Sequence, residues 1–278
     1  MTTVDDLIAE VLAGQHGPDP AEVPATSVFW VHHGTRLAGS DVTYRNQYVL
    51  ARVGGAFGAC AFAEGEADPA VCANYSGAPV ARLLTEAPAP VRIAALDAYL
   101  GHVRPHRTAE RVVLPSGTPE QRAQARDAAV AGLLDVEPGA KVALIGVVNP
   151  LVAAIRERGA ECLPCDLSLR TTQWGDAVTP DMRDVLGVAD AVVATGMTIG
   201  NGTFDEILRT CRERDIPLVV YAQTASAVAR HFLGAGVTAL SAEPFPFSQF
   251  SADDTALFRY RTGEKTWTTT STVTSPTP

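Results

Sequence analysis

The chain has 278 residues, 46% of them hydrophobic and 19% charged, with a formal net charge of -9 at pH 7. That is a globular balance, long enough for one large domain or two ordinary ones and for a core that needs no staples. The acidic excess, with no basic run, argues against a nucleic-acid backbone or an anionic membrane surface as partner.

No apolar run approaches the length of a membrane span. The start, Met1-Thr-Thr-Val-Asp-Asp-Leu-Ile8, is acidic and reads as an amphipathic helix, not as a signal peptide. The cysteines at 60, 72, 162, 165 and 211 are scattered and odd in number. Reduced thiols and a cytoplasmic setting are expected.

Residues 3–13 form the first expected helix, with Val4, Leu7, Ile8, Val11 and Leu12 on one side. Ser27–Val31, Val42–Val53 and Ala56–Ala63 read as strands separated by glycine turns. Helices follow over Pro79–Val103, so the first block, residues 1–105, is α+β. Residues 104–118 are polar and contain proline, and read as a connector. Thr118-Pro119-Glu120-Gln121 then opens a helix, with Thr as cap and Gln reaching back.

From Lys141 the pattern alternates. Strands are expected at Lys141–Ile145, Ala160–Cys165, Ala189–Ala194, Pro217–Tyr221 and, last, Val237–Ser241. Helices are expected at Pro150–Arg158, Asp181–Leu186, Thr203–Arg214 and Ala225–Leu233. Such alternation predicts an α/β domain over 106–265, a Rossmann-like parallel sheet covered on both faces. The Thr/Ser/Pro-rich tail, 266–278, reads as disordered.

In such sheets ligands gather beyond the carboxyl ends of the strands. Four loops lie there. Gly146-Val147-Val148-Asn149 has the first glycine of a dinucleotide fingerprint but not the others, which disfavours NAD or FAD; Asn149 is placed to cap the next helix. Asp166 follows the second strand, where an acidic residue receives ribose hydroxyls or simply makes a turn. Trp174 and Asp176 lie in the irregular stretch beyond it. Thr195-Gly196-Met197-Thr198-Ile199-Gly200-Asn201-Gly202-Thr203 joins a strand to a helix, with Thr203 and Glu206 at capping-box spacing. Thr198 and Asn201 are its stronger ligand candidates. In the fourth loop Gln223 faces a ligand, and Thr224 or Ser226 caps the following helix.

Metal and catalytic signals are weaker. Cys162-Leu-Pro-Cys165 has no second pair, and a strand splits its two side chains between faces. His32 and His33 are adjacent and would also point apart. His33, Tyr44 and Arg45 are the catalytic candidates, Arg45 as a carboxylate binder. There is no G-x-S-x-G, P-loop or H-E-x-x-H motif.

The stretch Asp190-Ala-Val-Val-Ala-Thr-Gly-Met-Thr-Ile-Gly-Asn-Gly-Thr-Phe-Asp-Glu-Ile-Leu208 resembles the signature of a bacterial and archaeal family known as "putative heavy-metal chelation". Val91–Leu100, Val142–Gly146 and Phe232–Val237 fit the same pattern. The resemblance implies an enolase-N-terminal-like domain ahead of the Rossmann-like one, a site between the two, and a chelation role. The chain departs from it at Asp97, where Asn is usual, and at Ala222-Gln223-Thr224, where Gly-Pro-Ser is usual.

The resulting expectation is an enzyme acting on a small polar ligand, amino-acid-like or adenosyl, in the cleft between the domains. S-adenosylmethionine is the cofactor or substrate that expectation names, with a transition metal behind it. A heavy-metal or metal-chelate binder and a non-catalytic binding module are the alternatives. The expected partner is a small molecule, with neither nucleic acid nor membrane and with homo-oligomerisation left open.

Overall fold

The computed structural model describes residues 3–36, 43–106 and 109–263; the 266–278 tail lies outside them. In chain order the first elements are α1 (Val4–Leu12), β1 (Ala25–Thr35), β2 (Tyr44–Val53), β3 (Ala56–Ala61), α2 (Val71–Tyr75), α3 (Val80–Glu86) and α4 (Ala89–Val103). Then come β4 (Glu110–Leu114), α5 (Pro119–Ala131), β5 (Lys141–Ile145), α6 (Asn149–Glu157), β6 (Glu161–Cys165), α7 (Met182–Leu186) and β7 (Ala191–Thr195). The last are α8 (Met197–Gly200), α9 (Phe204–Arg214), β8 (Leu218–Ala222), α10 (Ser226–Arg230), β9 (Ala239–Ala242) and β10 (Thr255–Arg261).

These elements pack into two units, neither continuous in sequence. The first comprises Met1–His106, Gly196–Ile207 and Ala222–Ala235; the second comprises Arg107–Thr195, Leu208–Tyr221 and Gly236–Pro278.

In the first unit, β1, β2 and β3 form an antiparallel sheet in that order. Gly54, at φ +54°, turns β2 into β3 through a two-residue loop. α4 lies against β2 and β3 and is buried nearly all round, from Val91 to Leu100. Such close packing needs Gly58 in β3, where a Cβ would stand 2.0 Å from the Ala98 nitrogen and 2.2 Å from the Ala94 oxygen. α1 begins with a reciprocal capping box between Thr3 and Asp6, and it buries Val4, Leu7, Ile8 and Val11.

Asp97, in the middle of α4, is only 2% exposed. One carboxylate oxygen accepts from the Ala59 N–H at 3.0 Å; the other accepts from Ala227 at 2.7 Å and Val228 at 3.3 Å. It therefore satisfies the first turn of α10 from a different helix. Thr224 and Ser226 do not cap α10; its N-cap is Ala225, without a side-chain hydrogen bond. Burial pushes the Asp97 carboxyl up to about 7, against its three backbone donors and Arg230.

In the second unit a seven-stranded sheet runs β4-β10-β9-β8-β7-β5-β6. β5 pairs in parallel with β6 and with β7, and β7 with β8, while β10 is antiparallel to both β4 and β9. Lys-Val-Ala-Leu-Ile in β5 and Ala-Val-Val-Ala in β7 are buried almost throughout, as a sheet covered on both faces requires. α5 starts with the expected capping box of Thr118 and Gln121.

Two strands differ from the sequence expectation. β4 occupies the stretch read as a connector, and β10 follows the strand read as the last. Both carry charged residues and pair antiparallel, so neither shows the apolar run that marks the central strands. Glu110 and Arg259 face each other across the pair with oxygen and nitrogen 2.6 Å apart, which fixes the register.

Gly58→Ala is expected to lower the unfolding free energy by at least about 3 kcal/mol, as backbone atoms cannot retreat from the added methyl; urea unfolding checks this. For Asp97, a folded-state value of about 7 against an ordinary 3.8 means the folded form binds the extra proton between those limits. Its contribution to stability is full below pH 3.8 and is lost as pH rises through 7. Stability of the native protein relative to Asp97→Asn should therefore fall by a few kcal/mol across this window, at about 1.4 kcal/mol for each step of one in pH. Urea unfolding of both proteins over that pH range measures it.

Candidate functional site

The chain runs from β5 outward to β6 and then returns to β7 on the other side of β5. The order reverses between β5 and β7, and their carboxyl ends diverge at Gly146 and Thr195. In open α/β sheets this is where ligands bind. Gly146 adopts φ +87°, and a Cβ there would meet the Thr195 side chain at 2.5 Å. The Tyr221 hydroxyl, at the end of β8, donates to the Gly146 carbonyl and is also hydrogen-bonded to Thr195.

Four ionisable side chains surround this edge. Arg126 and Asp127, adjacent on α5, form an ion pair with Nε and Oδ1 2.7 Å apart. Asp127 is 1% exposed, and its Oδ2 is buried with no hydrogen bond. Burial raises the Asp127 carboxyl above its ordinary range, and Arg126 pulls it part of the way back. Burial also disfavours the charge on Arg126, but Asp127, Glu243 and Tyr221 more than restore it. The Tyr221 phenol is raised by burial; the Thr195 hydrogen bond and Arg126 oppose the rise, while Asp127 and Asp166 add to it. Glu243 is 2% exposed and accepts from the Ser248 N–H. The Arg126 side chain keeps 17% of its surface exposed, and Gly146, Thr195 and Tyr221 are half-buried, so solvent reaches the cluster. Chemically it offers a charged donor, a carboxyl poised to hold or release a proton, and a phenol kept protonated.

The sequence candidates fall into three groups. Gly146 and Thr195 stand at the reversal. Asp166 and Asn149 serve their own loops. Asp166 accepts from Val147 at 2.9 Å with one oxygen and from Ser168 and Leu169 at 2.8 and 3.0 Å with the other. Asn149 is not a cap, because the N-cap of α6 is Val148; its Oδ1 instead holds the Gln173 N–H at 3.1 Å. Trp174 is 47% exposed and lies under the Arg156 guanidinium, 5.2 Å from it, while Asp176 pairs with the same arginine at 2.8 Å.

The remaining candidates belong to the first unit. The 195–203 bend contains the short helix α8 where a plain turn was expected. Its glycines allow close approach: a Cβ on Gly196 would lie 2.2 Å from the Thr224 carbonyl, and one on Gly200 would lie 2.6 Å from the Cys60 sulfur. Thr198 is 1% exposed. The Asn201 side-chain Oδ1 accepts from both the backbone nitrogen and the hydroxyl of Thr203, at 3.1 and 2.7 Å. Gln223 is half-buried beside Ala222. In β1, His32 is exposed and stacks on Trp30, with ring centroids 5.6 Å apart, and His33 meets the Thr35 hydroxyl at 2.9 Å. Arg45 is exposed, and the side chain of Tyr44 lies outside the described residues. Arg126 and Asp127 escaped the sequence reading because helix positions carry no strand-end signal; a buried adjacent Arg-Asp pair was the available cue.

A heavy-metal centre would need several donors converging. Among the described residues no group of three His, Cys, Asp or Glu side chains does so. Burial pushes the Cys162 and Cys165 thiols up to about 12 and about 11, so they resist forming the thiolate that binds metal. These residues do not fit a resident metal ion.

Asp166→Ala should unpin the Gly146–Val147 loop and cost about 2 kcal/mol of stability, because three N–H groups lose a charged acceptor. Thermal or urea unfolding of the purified variant measures it.

Comparisons with known proteins agree with this architecture. The model of a family described as "putative heavy-metal chelation", DUF364, matches residues 129–243. No curated protein matches the chain. A solved structure of a DUF364 protein of unknown function from Desulfitobacterium hafniense superposes with a TM-score of 0.59 at 15% identity, covering 93% of this chain and 96% of that one. Another, from Pyrococcus horikoshii, gives 0.54 at 16% identity, with 92% and 99% covered. At these identities the likeness concerns the fold. Residues 129–243 of the chain match the DUF364 family model, and the whole chain is similar in fold to solved DUF364 proteins.

Proposed function

We propose that the protein is an enzyme acting on a small polar molecule held at the carboxyl edge of β5, β7 and β8. The observation that carries this reading is the Asp127 oxygen, buried and without a hydrogen bond beside a charged arginine. A buried polar atom left unmatched costs stability, and such costs persist where a ligand repays them. A ligand group that donates to Asp127 and accepts from Arg126 would complete both. No hydrogen bond from the terminal nitrogens of Arg126 to the protein occurs among the described residues, which leaves them for an acceptor such as a carboxylate. With its raised affinity for protons, Asp127 can give a proton to the bound molecule or take one from it.

The ligand is amino-acid-like in this reading, not adenosyl. The acidic residue that a ribose would require, Asp166, already receives three backbone N–H groups. The family's chelation name is met by a ligand of the same polar kind, free or as a metal chelate, with no protein side chain bound to the metal.

The test uses the purified protein incubated with a small-molecule cell extract, separated by gel filtration and read by mass spectrometry. The native protein should retain a polar compound, and Asp127→Asn and Arg126→Gln should retain at least about tenfold less, one hydrogen bond to a charged group being worth that factor or more. Failure of the native protein to enrich any compound, or equal enrichment by both variants, would overturn the reading.

A further inference from the structure

The first unit gathers basic side chains where the C-terminal ends of α4 and α10 meet the loop after α1. Arg104 caps the end of α4, Arg230 is the last residue of α10, His231 caps that helix, and His16 lies in the loop. The rings of His16 and His231 meet edge to face, with centroids 5.0 Å apart. None of these residues belongs to the Arg126–Asp127 cluster.

Arg230 is the unexplained group. It is only 5% exposed, and its Nε is buried with no hydrogen-bond partner. A guanidinium has five donors and stays charged, yet among the described residues Arg230 bonds only to the Arg104 carbonyl, through a terminal nitrogen. Helix C-terminal ends favour cations, which accounts for that bond and leaves the Nε unmatched. Asp97 is the acid whose charge reaches Arg230, but its oxygens are spent on the N–H groups of Ala59, Ala227 and Val228. The next residue repeats the pattern, because the His231 Nε2 is also buried with no partner. Burial first, then His16, Arg230 and Arg104, push the His231 imidazole down to about 3, and burial and Arg230 do the same to His106.

Two consecutive residues thus each keep a buried nitrogen without an acceptor, in a positive field. An anion supplies what both lack. A cation would meet Arg104 and Arg230, and a neutral group would leave the buried charge unanswered. Three side chains, Arg104, Arg230 and His231, together ask for more acceptor oxygens than the two of a planar carboxylate. Arg104 is exposed, and His16 and His231 are half-buried, so solvent reaches the group. The nearby acid Glu10 is held by His16 at 2.8 Å. We infer that this cluster binds a phosphate group, with the Arg230 Nε and the His231 Nε2 as its inner donors and the Arg104 guanidinium as its outer one. The site is separate from the one proposed at the strand ends, so either can fail without the other.

Calorimetric titration of the whole protein with inorganic phosphate and with glycerol 3-phosphate tests it, with acetate as the comparator. Phosphate should bind saturably and raise Tm. Acetate should bind at least about tenfold more weakly. Tighter binding of the ester assigns the site to phosphorylated molecules, and tighter binding of the free ion assigns it to phosphate itself; either result supports the inference. His231→Phe keeps a ring against His16 but removes the unmatched nitrogen. It should leave the ligand-free Tm unchanged or raised while weakening phosphate binding by about tenfold, a pairing that a purely structural histidine would not show. Arg104→Gln, at an exposed position, should weaken binding by about tenfold as well, and Arg230→Gln by more. The first two variants keep the test valid if Arg230→Gln unfolds. Absence of phosphate binding at about 10 mM, acetate that binds equally well, or undiminished binding by His231→Phe and Arg104→Gln would overturn the inference. So would loss of phosphate binding in Arg126→Gln, which would place the anion at the other site.

Discussion

A carboxylate drawn out of water must find donors, and in this protein three aspartates, Asp97 and Asp127 buried and Asp166 half-buried, are spent in three different ways. Asp97 finds backbone N–H groups on β3 and α10 and ties a helix start to a sheet. Asp166 finds three more and shapes the loop beyond β5. Asp127 finds only its neighbour Arg126 and keeps one oxygen unmatched. The first two are structural because their bonding is internal and close to complete. The third is the exception, and the functional reading rests on that difference, with burial making the unmatched oxygen costly.

The sheet explains why the exception lies where it does. Strand order reverses between β5 and β7, so the segments leaving these strands part and expose Gly146, Thr195 and Tyr221 at one edge. The Tyr221 hydroxyl and the close approach of Gly146 to Thr195 lock that edge. Locked strand ends facing Arg126 and Asp127 of α5 can receive a ligand without further ordering, which lowers the entropic cost of binding.

Much of the architecture was legible in the residues. The apolar run Val142–Ile145 of β5, the capping box at Thr118 and the helical period through Phe204, Ile207 and Leu208 each carry a local signal that tertiary packing obeys. β4 and β10 were not legible because their pairing is set by a cross-strand ion pair between residues distant in sequence. The site was half legible. Gly146 and Thr195 follow from the strand-end rule. Asn149, Asp166 and Asn201 looked equally available, and only coordinates show that their oxygens hold Gln173, Val147 and Thr203. The glycine-rich bend likewise proves to be a packing device at Gly196 and Gly200.

The most direct test of the Asp127 assignment is a carbon-13 carboxyl NMR titration of that residue in the native protein and in an Arg126→Gln variant. The native carboxyl is expected to titrate above the ordinary aspartate value of 3.8, and loss of the arginine should move it higher still. A carboxyl that titrates at or below 3.8, or one indifferent to Arg126, would contradict the role given to this pair.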